Sequence, residues 1–206
     1  MTAARVSAQK AGIWLLIALI LVPGALLLKG VSGDLYISIV ELDIPVPSRL
    51  TEILMLGLIA AFGLVAWGFR RLEARRIIVA VMAGIGIITA YLLSEAIKIF
   101  LTQERPCREL LVLDDCPAVG DWSFPSNHAT IAFAVATGIM IISKNRWALV
   151  AYLAALAIGA LRIATGAHFP HDVLGGAVLG ICITVAVYLL LSPLTTPLTR
   201  RFTARG

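Results

Sequence analysis

The chain has 206 residues, 60% of them hydrophobic and only 14% charged, with a mean hydropathy of +0.95. A water-soluble domain carries about 25% charged residues, so this composition excludes one and makes lipid the solvent for most of the chain. The net charge of +5 sits in short clusters between apolar runs, not on a continuous basic face, which argues against nucleic acid as a partner. One integral membrane domain over residues 1–206 is expected, with no soluble appendage.

A hydrocarbon core of about 30 Å takes about 20 helical residues to cross. Six apolar runs predict six transmembrane helices, near 11–28, 52–69, 77–100, 128–143, 147–163 and 173–191. Alternating strand patterns are absent, so the fold class is all-α and a β-barrel is excluded. The first run follows Arg5 and Lys10 as a signal peptide would, but no small-x-small cleavage site comes after it. Pro23 and Lys29 mark its expected end. Between the first two runs, Leu35, Tyr36, Ile37, Ile39, Val40 and Leu42 are mixed with Asp34, Glu41 and Asp43. That mixture predicts a short helix lying in the membrane interface, ended by Pro45 and Pro47. Packing is its simplest role, with a lid or lipid-entry role as the other.

Six spans place both termini on one side with the loops after the second and fourth runs. Arg5, Lys10, Arg70, Arg71, Arg75, Arg76, Lys144, Arg146, Arg200, Arg201 and Arg205 fall there, eleven of the 17 basic residues. The positive-inside rule makes that side cytoplasmic; the expected location is the cell (inner) membrane. Cys107 and Cys116 share an outer loop with eight residues between them, where oxidising conditions favour a disulfide. Such a ring stabilises by roughly 2–3 kcal/mol in the chain-entropy treatment; two free thiols are the alternative. Cys182, inside the last run, reads as a small buried apolar residue.

Three polar clusters interrupt the apolar runs, all at the outer face. In the first, Lys98 and Arg105 are seven residues apart and share a helix face if the third helix continues that far; Pro106 then stops it. A cation at mid-bilayer costs about 2.5–3.5 kcal/mol, so such residues are functional or snorkel to the interface. Glu95, one turn earlier, is the expected partner of Lys98. The second cluster, Pro125-Ser126-Asn127-His128, opens the fourth helix with Ser126 or Asn127 as N-cap. Its free N–H groups suit a phosphate; an ordinary capping sequence with an incidental histidine is the bland alternative.

The third cluster, Arg162-Ile-Ala-Thr-Gly-Ala-His168-Phe-Pro-His171-Asp172, joins the fifth and sixth runs. A carboxylate beside an imidazole fixes its tautomer and stabilises its cation. His168, His171 and Asp172 are also a conceivable metal set, but no further ligands complete it, and no metal or cofactor is expected. Gly176 and Gly180 suit close helix packing.

Lys98-x6-Arg105-Pro106, Pro125-Ser126-Asn127-His128 and Arg162-x5-His168-x3-Asp172 together resemble the three-part signature of the type 2 phosphatidic acid phosphatase (PAP2) superfamily. The resemblance covers roughly residues 77–185 and implies a PAP2/haloperoxidase-like helical core. It implies His168 as nucleophile forming a phosphohistidine, Asp172 as its orienter, and His128 as acid toward the leaving oxygen and then base toward water. Lys98, Arg105, Ser126, Arg162 and the amide of Asn127 would hold the phosphoryl oxygens without metal. Two positions depart from the pattern. Asn127 stands where glycine is usual, a tolerable exchange if the backbone there needs positive φ. Leu161 replaces a common serine before the arginine.

The expected function is hydrolysis of a lipid phosphate or pyrophosphate at the extracytoplasmic face, with undecaprenyl pyrophosphate as leading substrate. Phosphatidylglycerophosphate, phosphatidic acid and prenyl-linked sugar phosphates follow. A lipid phosphotransferase, a transporter or flippase, and a vanadate haloperoxidase-like site are the other classes.

Overall fold

The computed structural model describes residues 3–47, 49–68, 74–113, 116–195 and 197–198. Arg70, Arg71, Arg200, Arg201 and Arg205, which enter the orientation argument, lie outside these residues. The described elements are helices α1 (Ala3–Leu26), α2 (Lys29–Val40), α3 (Leu50–Gly68), α4 (Ala74–Leu101), α5 (Pro106–Glu109), α6 (Asn127–Ser143), α7 (Leu149–Ala164) and α8 (Pro170–Leu191), with 3₁₀ turns at Arg146–Ala148 and Ser192–Leu194. No strand occurs among the described residues.

Each of the six apolar runs is helical, but they are not equivalent. α1, α3, α4 and α8 lie in segments long and apolar enough to cross a membrane. α6 and α7 are apolar but shorter, at 17 and 16 residues, so length and composition identify four spans where six were expected. α1 begins earlier than its apolar run, and Pro23 lies inside it. Pro23 therefore does not end that helix. The interfacial segment is helical as α2, which stops at Val40, well before Pro45.

α6 is the central helix, packed by α3, α4, α7 and α8. Its composition explains this: Ala129, Ala132, Ala134, Ala136 and Gly138 leave a thin, apolar cylinder that neighbours approach on several sides. α8 comes closest. A Cβ at Gly176 would meet the Ser126 carbonyl, and one at Gly180 the Thr130 carbonyl. This backbone-to-backbone approach, typical of small residues at membrane helix contacts, sets the start of α8 beside the start of α6. α1 packs mainly on α8 and closes a second core of Ala18, Val22, Ala90, Leu179 and Ile183. Leu19, Leu56, Leu64, Ile88 and Leu153 point outward and stay exposed, as expected where lipid replaces water.

The two ends of the bundle differ in chemistry. Ser7 Oγ donates to the Leu189 carbonyl at 2.9 Å and lies 2.8 Å from Ser192 Oγ, so the start of α1 and the end of α8 meet. Arg75, Arg76, Lys144 and Tyr188 line one cavity at this same end. The three polar clusters lie at the other.

Candidate active site

α4 delivers Lys98 in its last turn and ends at Leu101. Thr102 then takes a left-handed conformation, φ 45°, and turns the chain. Arg105 is thus not on a continuing α4 face, and Pro106 starts a helix instead of stopping one: Arg105 caps α5 with Pro106 in its first turn. The turn still brings the two cations together. Lys98 Nζ lies 3.2 Å and Arg105 Nη2 2.9 Å from the same Asp121 Oδ1. Glu95 is not the partner of Lys98; it accepts a hydrogen bond from Asn127 Nδ2. Cys107 and Cys116 are bonded to each other, closing the loop that follows Arg105.

The second cluster starts α6. Ser126 is the N-cap, its Oγ accepting from the Ala129 N–H at 3.5 Å. The Ser126 N–H donates to the Asp172 carbonyl at 3.0 Å, which fastens this cluster to the third. Asn127 is helical with ordinary φ, so positive φ is not what admits asparagine here. Its amide group instead bridges to α4, accepting from Ser94 Oγ at 2.6 Å and donating to Glu95. The His128 ring makes no hydrogen bond with the described residues. Arg162, Glu52, Arg105 and Lys98 are the charges within its electrostatic reach.

The third cluster occupies the turn between α7 and α8. Gly166 has φ +74°, open to glycine and strained for other residues. His168 is buried and held from both sides. Arg105 Nη1 lies 3.1 Å from its Nε2 and also donates to the Ala167 carbonyl at 2.8 Å. Asp172 Oδ2 and Ser123 Oγ each lie 3.5 Å from its Nδ1. A guanidinium can only donate, so Nε2 is the acceptor and Nδ1 carries the proton toward the carboxylate. Burial holds the His168 imidazole well below its usual titration range, and the charges of Arg105, Arg162 and Lys98 add to this. The ring is therefore a neutral base at neutral pH, with its lone pair on Nε2.

Asp172 is fully buried and surrounded by donors. Ser123 Oγ and the Phe169 N–H donate to Oδ2, and Gln103 Nε2 donates to Oδ1 at 3.0 Å. His171 Nε2 lies 3.2 Å from Oδ1. His168, His171 and Asp172 thus spend these atoms on one another and on protein donors. Among the described residues no group of three or more His, Cys, Asp or Glu is placed to hold a metal.

Arg162 stands apart, because its buried Nε has no hydrogen-bond partner among the described residues. An orphaned buried guanidinium nitrogen costs free energy unless a ligand meets it. Sequence reasoning missed Ser123, Gln103, Asp121 and Ser94. Ser123 and Asp121 lie just before the second cluster, the only signal available; Gln103 lies between Lys98 and Arg105 without any.

The site therefore gathers a neutral imidazole with an oriented lone pair, a second imidazole, three cations and a helix N-terminus, the parts that hold and transfer a phosphoryl group. The sequence model of the PAP2 superfamily matches residues 77–195, the stretch that contains all of them. The chain belongs to the PAP2 superfamily.

Two Bacillus proteins are similar to this PAP2 chain. One, undecaprenyl-diphosphatase BcrC of Bacillus subtilis (strain 168), is 34% identical over 123 residues, 58% of this chain and 61% of that protein. The other, bacitracin transport permease protein BcrC of Bacillus licheniformis, is 30% identical over 154 residues, 70% of each chain. The fold matches the crystal structure of a transmembrane PAP2-type phosphatidylglycerolphosphate phosphatase from Bacillus subtilis. That match has TM-score 0.57 and 22% identity, over 86% of this chain and 94% of that one. This chain is a multi-pass membrane protein of the PAP2 superfamily.

Proposed function

We propose that this PAP2 protein hydrolyses the phosphate or pyrophosphate of a membrane lipid through a phosphohistidine at His168, with a polyprenyl pyrophosphate as leading substrate. The observation that carries the reading is the environment of the His168 ring, neutral, oriented through Nδ1, and with Nε2 turned toward Arg105. On substrate binding Arg105 moves its N–H from Nε2 to a phosphoryl oxygen, which frees the lone pair. Nε2 attacks phosphorus, the N–P bond forms, and the bond to the departing oxygen breaks. His128 gives that oxygen its proton. His128 then takes a proton from water, whose oxygen attacks the phosphohistidine; the N–P bond breaks and phosphate leaves. Lys98, Arg105, Arg162, Ser126 and the Asn127 N–H stabilise the charge on the transferring group, and Asp172 stabilises the His168 cation. No step uses a metal.

The substrate class rests on the undecaprenyl-diphosphatase among the similar proteins. Phosphatidylglycerophosphate, phosphatidic acid and prenyl-sugar phosphates remain competitors, as does transfer to an acceptor other than water. We further propose that α6 and α7 also cross the bilayer. The two ends of α6 support this: Ser126 at its start is bonded to Asp172 in the site, whereas Lys144 at its end lines the basic-end cavity with Arg75, Arg76 and Tyr188, and α7 must then return to Arg162 at the site. The termini would then be cytoplasmic and the site extracytoplasmic in the cell membrane.

The test is phosphate release from a lipid panel by purified protein, with EDTA and with His168→Ala. Release that resists EDTA and disappears in the variant is expected; unchanged release by His168→Ala overturns the reading. The permease among the similar proteins favours a second reading, lipid or drug transport. Translocation of a labelled lipid in vesicles without phosphate release would support it.

A further inference from the structure

Two histidines flank Asp172, and the catalytic scheme uses one. His171 is buried to 1% exposure. Its ring lies between Phe169 and Phe124, with centroids 5.1 and 5.9 Å away. An ordinary core histidine needs no more than that. Here, however, both ring nitrogens are committed, one to the catalytic carboxylate and one to α2. Nε2 lies 3.2 Å from Asp172 Oδ1 and from Gln103 Oε1, and 3.0 Å from Gln103 Nε2, which also donates to Asp172 Oδ1; an unprotonated Nε2 would set its lone pair against the carboxylate, so Nε2 carries the proton. Nδ1 is then the acceptor and faces Ser32 Oγ at 2.9 Å. Ser32 Oγ also accepts from the His171 N–H at 3.0 Å, which leaves its own proton for Nδ1. Ser32 and His171 therefore fix each other, 139 residues apart in sequence.

We propose that His171 is a positioning residue. Locked by Ser32 in its Nε2–H tautomer, it donates to Asp172 and couples helix α2 to the alignment of His168. This rests on the catalytic assignment above and extends it. The coupling has a physical basis in the carboxylate. Asp172 Oδ2 orients His168, and among the described residues Oδ1 is held only by Gln103 and His171. Without the His171 donor, a fully buried carboxylate keeps one ligand on that oxygen and can rotate about its Cβ–Cγ bond, misaiming the Nδ1 contact. α2 holds the same turn at two further points: Tyr36 Oη donates to the Gly166 carbonyl at 3.2 Å, and its ring lies 5.7 Å from that of Phe169. α2 thus acts as a brace on the nucleophile turn.

His171→Phe tests this, because it keeps the ring and its stacking while removing both nitrogens. The rate of phosphoryl transfer to His168 in a single turnover is expected to fall about 10- to 100-fold, the usual range for a supporting partner, with KM little changed. His171→Gln, which restores an N–H donor, should recover part of the loss. Ser32→Ala should slow the wild type but add nothing to His171→Phe, as expected for two groups acting through one contact. A wild-type rate in His171→Phe, or additive losses with Ser32→Ala, overturns the proposal. So does a loss that matches a reduced folded fraction in detergent. A long-range ¹H–¹⁵N spectrum of the imidazoles gives an answer independent of catalysis: His171 should show the Nε2–H tautomer, and an Nδ1–H tautomer sinks the brace even if His168 proves to be the nucleophile. If His168→Ala still releases phosphate, the catalytic assignment fails and the brace falls with it.

Discussion

The His168 side of this site and its Arg162 side, proposed to hold the nucleophile and the anion, are built on opposite principles. Around Asp172 each carboxylate oxygen meets at least two polar partners, and His168 has a polar neighbour at each ring nitrogen. On the anion side, among the described residues, Arg162 Nε is buried with no partner, the His128 ring has no hydrogen bond, and two cations share one half-exposed carboxylate. A satisfied network is rigid, and an unsatisfied one awaits charge. The contrast suits an enzyme that aims its nucleophile in advance and leaves its cradle to be completed by the phosphate.

The largest expected effect is on the rigid side. His168→Ala should cut phosphate release by about 10⁴-fold or more, as loss of a nucleophile does, measured on the preferred lipid. On the open side, His128→Ala should cost about 10²–10⁴-fold. That loss should shrink with a phosphate ester whose leaving oxygen needs no proton. An equal loss with both substrates would remove His128 from the acid role.

The two arginines divide the comparison more finely. Each should cost about 10²–10³-fold in kcat when replaced by Met, as for a lost donor to a charged transition state. Their effects on stability should differ. Arg105 is 2% exposed and donates to the Ala167 and Asp121 carbonyls, so Arg105→Met should also destabilise by about 1–3 kcal/mol. Arg162→Met deletes an orphaned nitrogen and should leave unfolding in detergent unchanged or improved. Equal destabilisation by both would erase the distinction drawn between the two sides. A pH profile probes the rigid side again. His168 must be neutral to attack, and burial with Arg105 holds it well below its usual range near 6.5. The acid limb of kcat/KM, which reports the free enzyme, should therefore fall well below pH 6.5.

What was legible in the sequence follows the same division. The residues proposed to meet the phosphate lie in short clusters with fixed spacing, so Lys98, Arg105, Ser126, His128, Arg162, His168 and Asp172 could be named without coordinates. Their supports could not. Gln103 reaches Asp172 across 69 residues and Ser123 across 49, and no local pattern marks a side chain whose only role is to fill a lone pair far away in sequence. Local reasoning also misjudged both prolines at helix boundaries. Pro23 is tolerated within α1, and Pro106 sits in the first turn of α5, where a missing N–H costs nothing. Pairing Glu95 with Lys98 failed because Asn127, one helix away, competes for the same carboxylate.

The smallest expected effect concerns Asp121, which sequence reasoning also missed. Its Oδ1 sits between Lys98 and Arg105, the two cations assigned to phosphoryl oxygens. Partial burial pushes its carboxyl up, but the Arg105 and Lys98 charges outweigh that and hold it below the usual carboxylate range. It is therefore an anion at neutral pH, and the substrate must displace it or share its partners. Its side chain is 49% exposed, and partly exposed ion pairs are weak. Asp121→Ala should accordingly lower KM by about two- to fivefold. It should tighten inhibition by inorganic phosphate by the same factor, with the benefit shrinking as salt screens the cations. The Arg105 contact to the Asp121 backbone carbonyl survives the substitution, so collapse of the cradle is not expected. A raised KM would mean that Asp121 props the two cations in place and does not compete for them, and the anion side would then be preassembled like its neighbour.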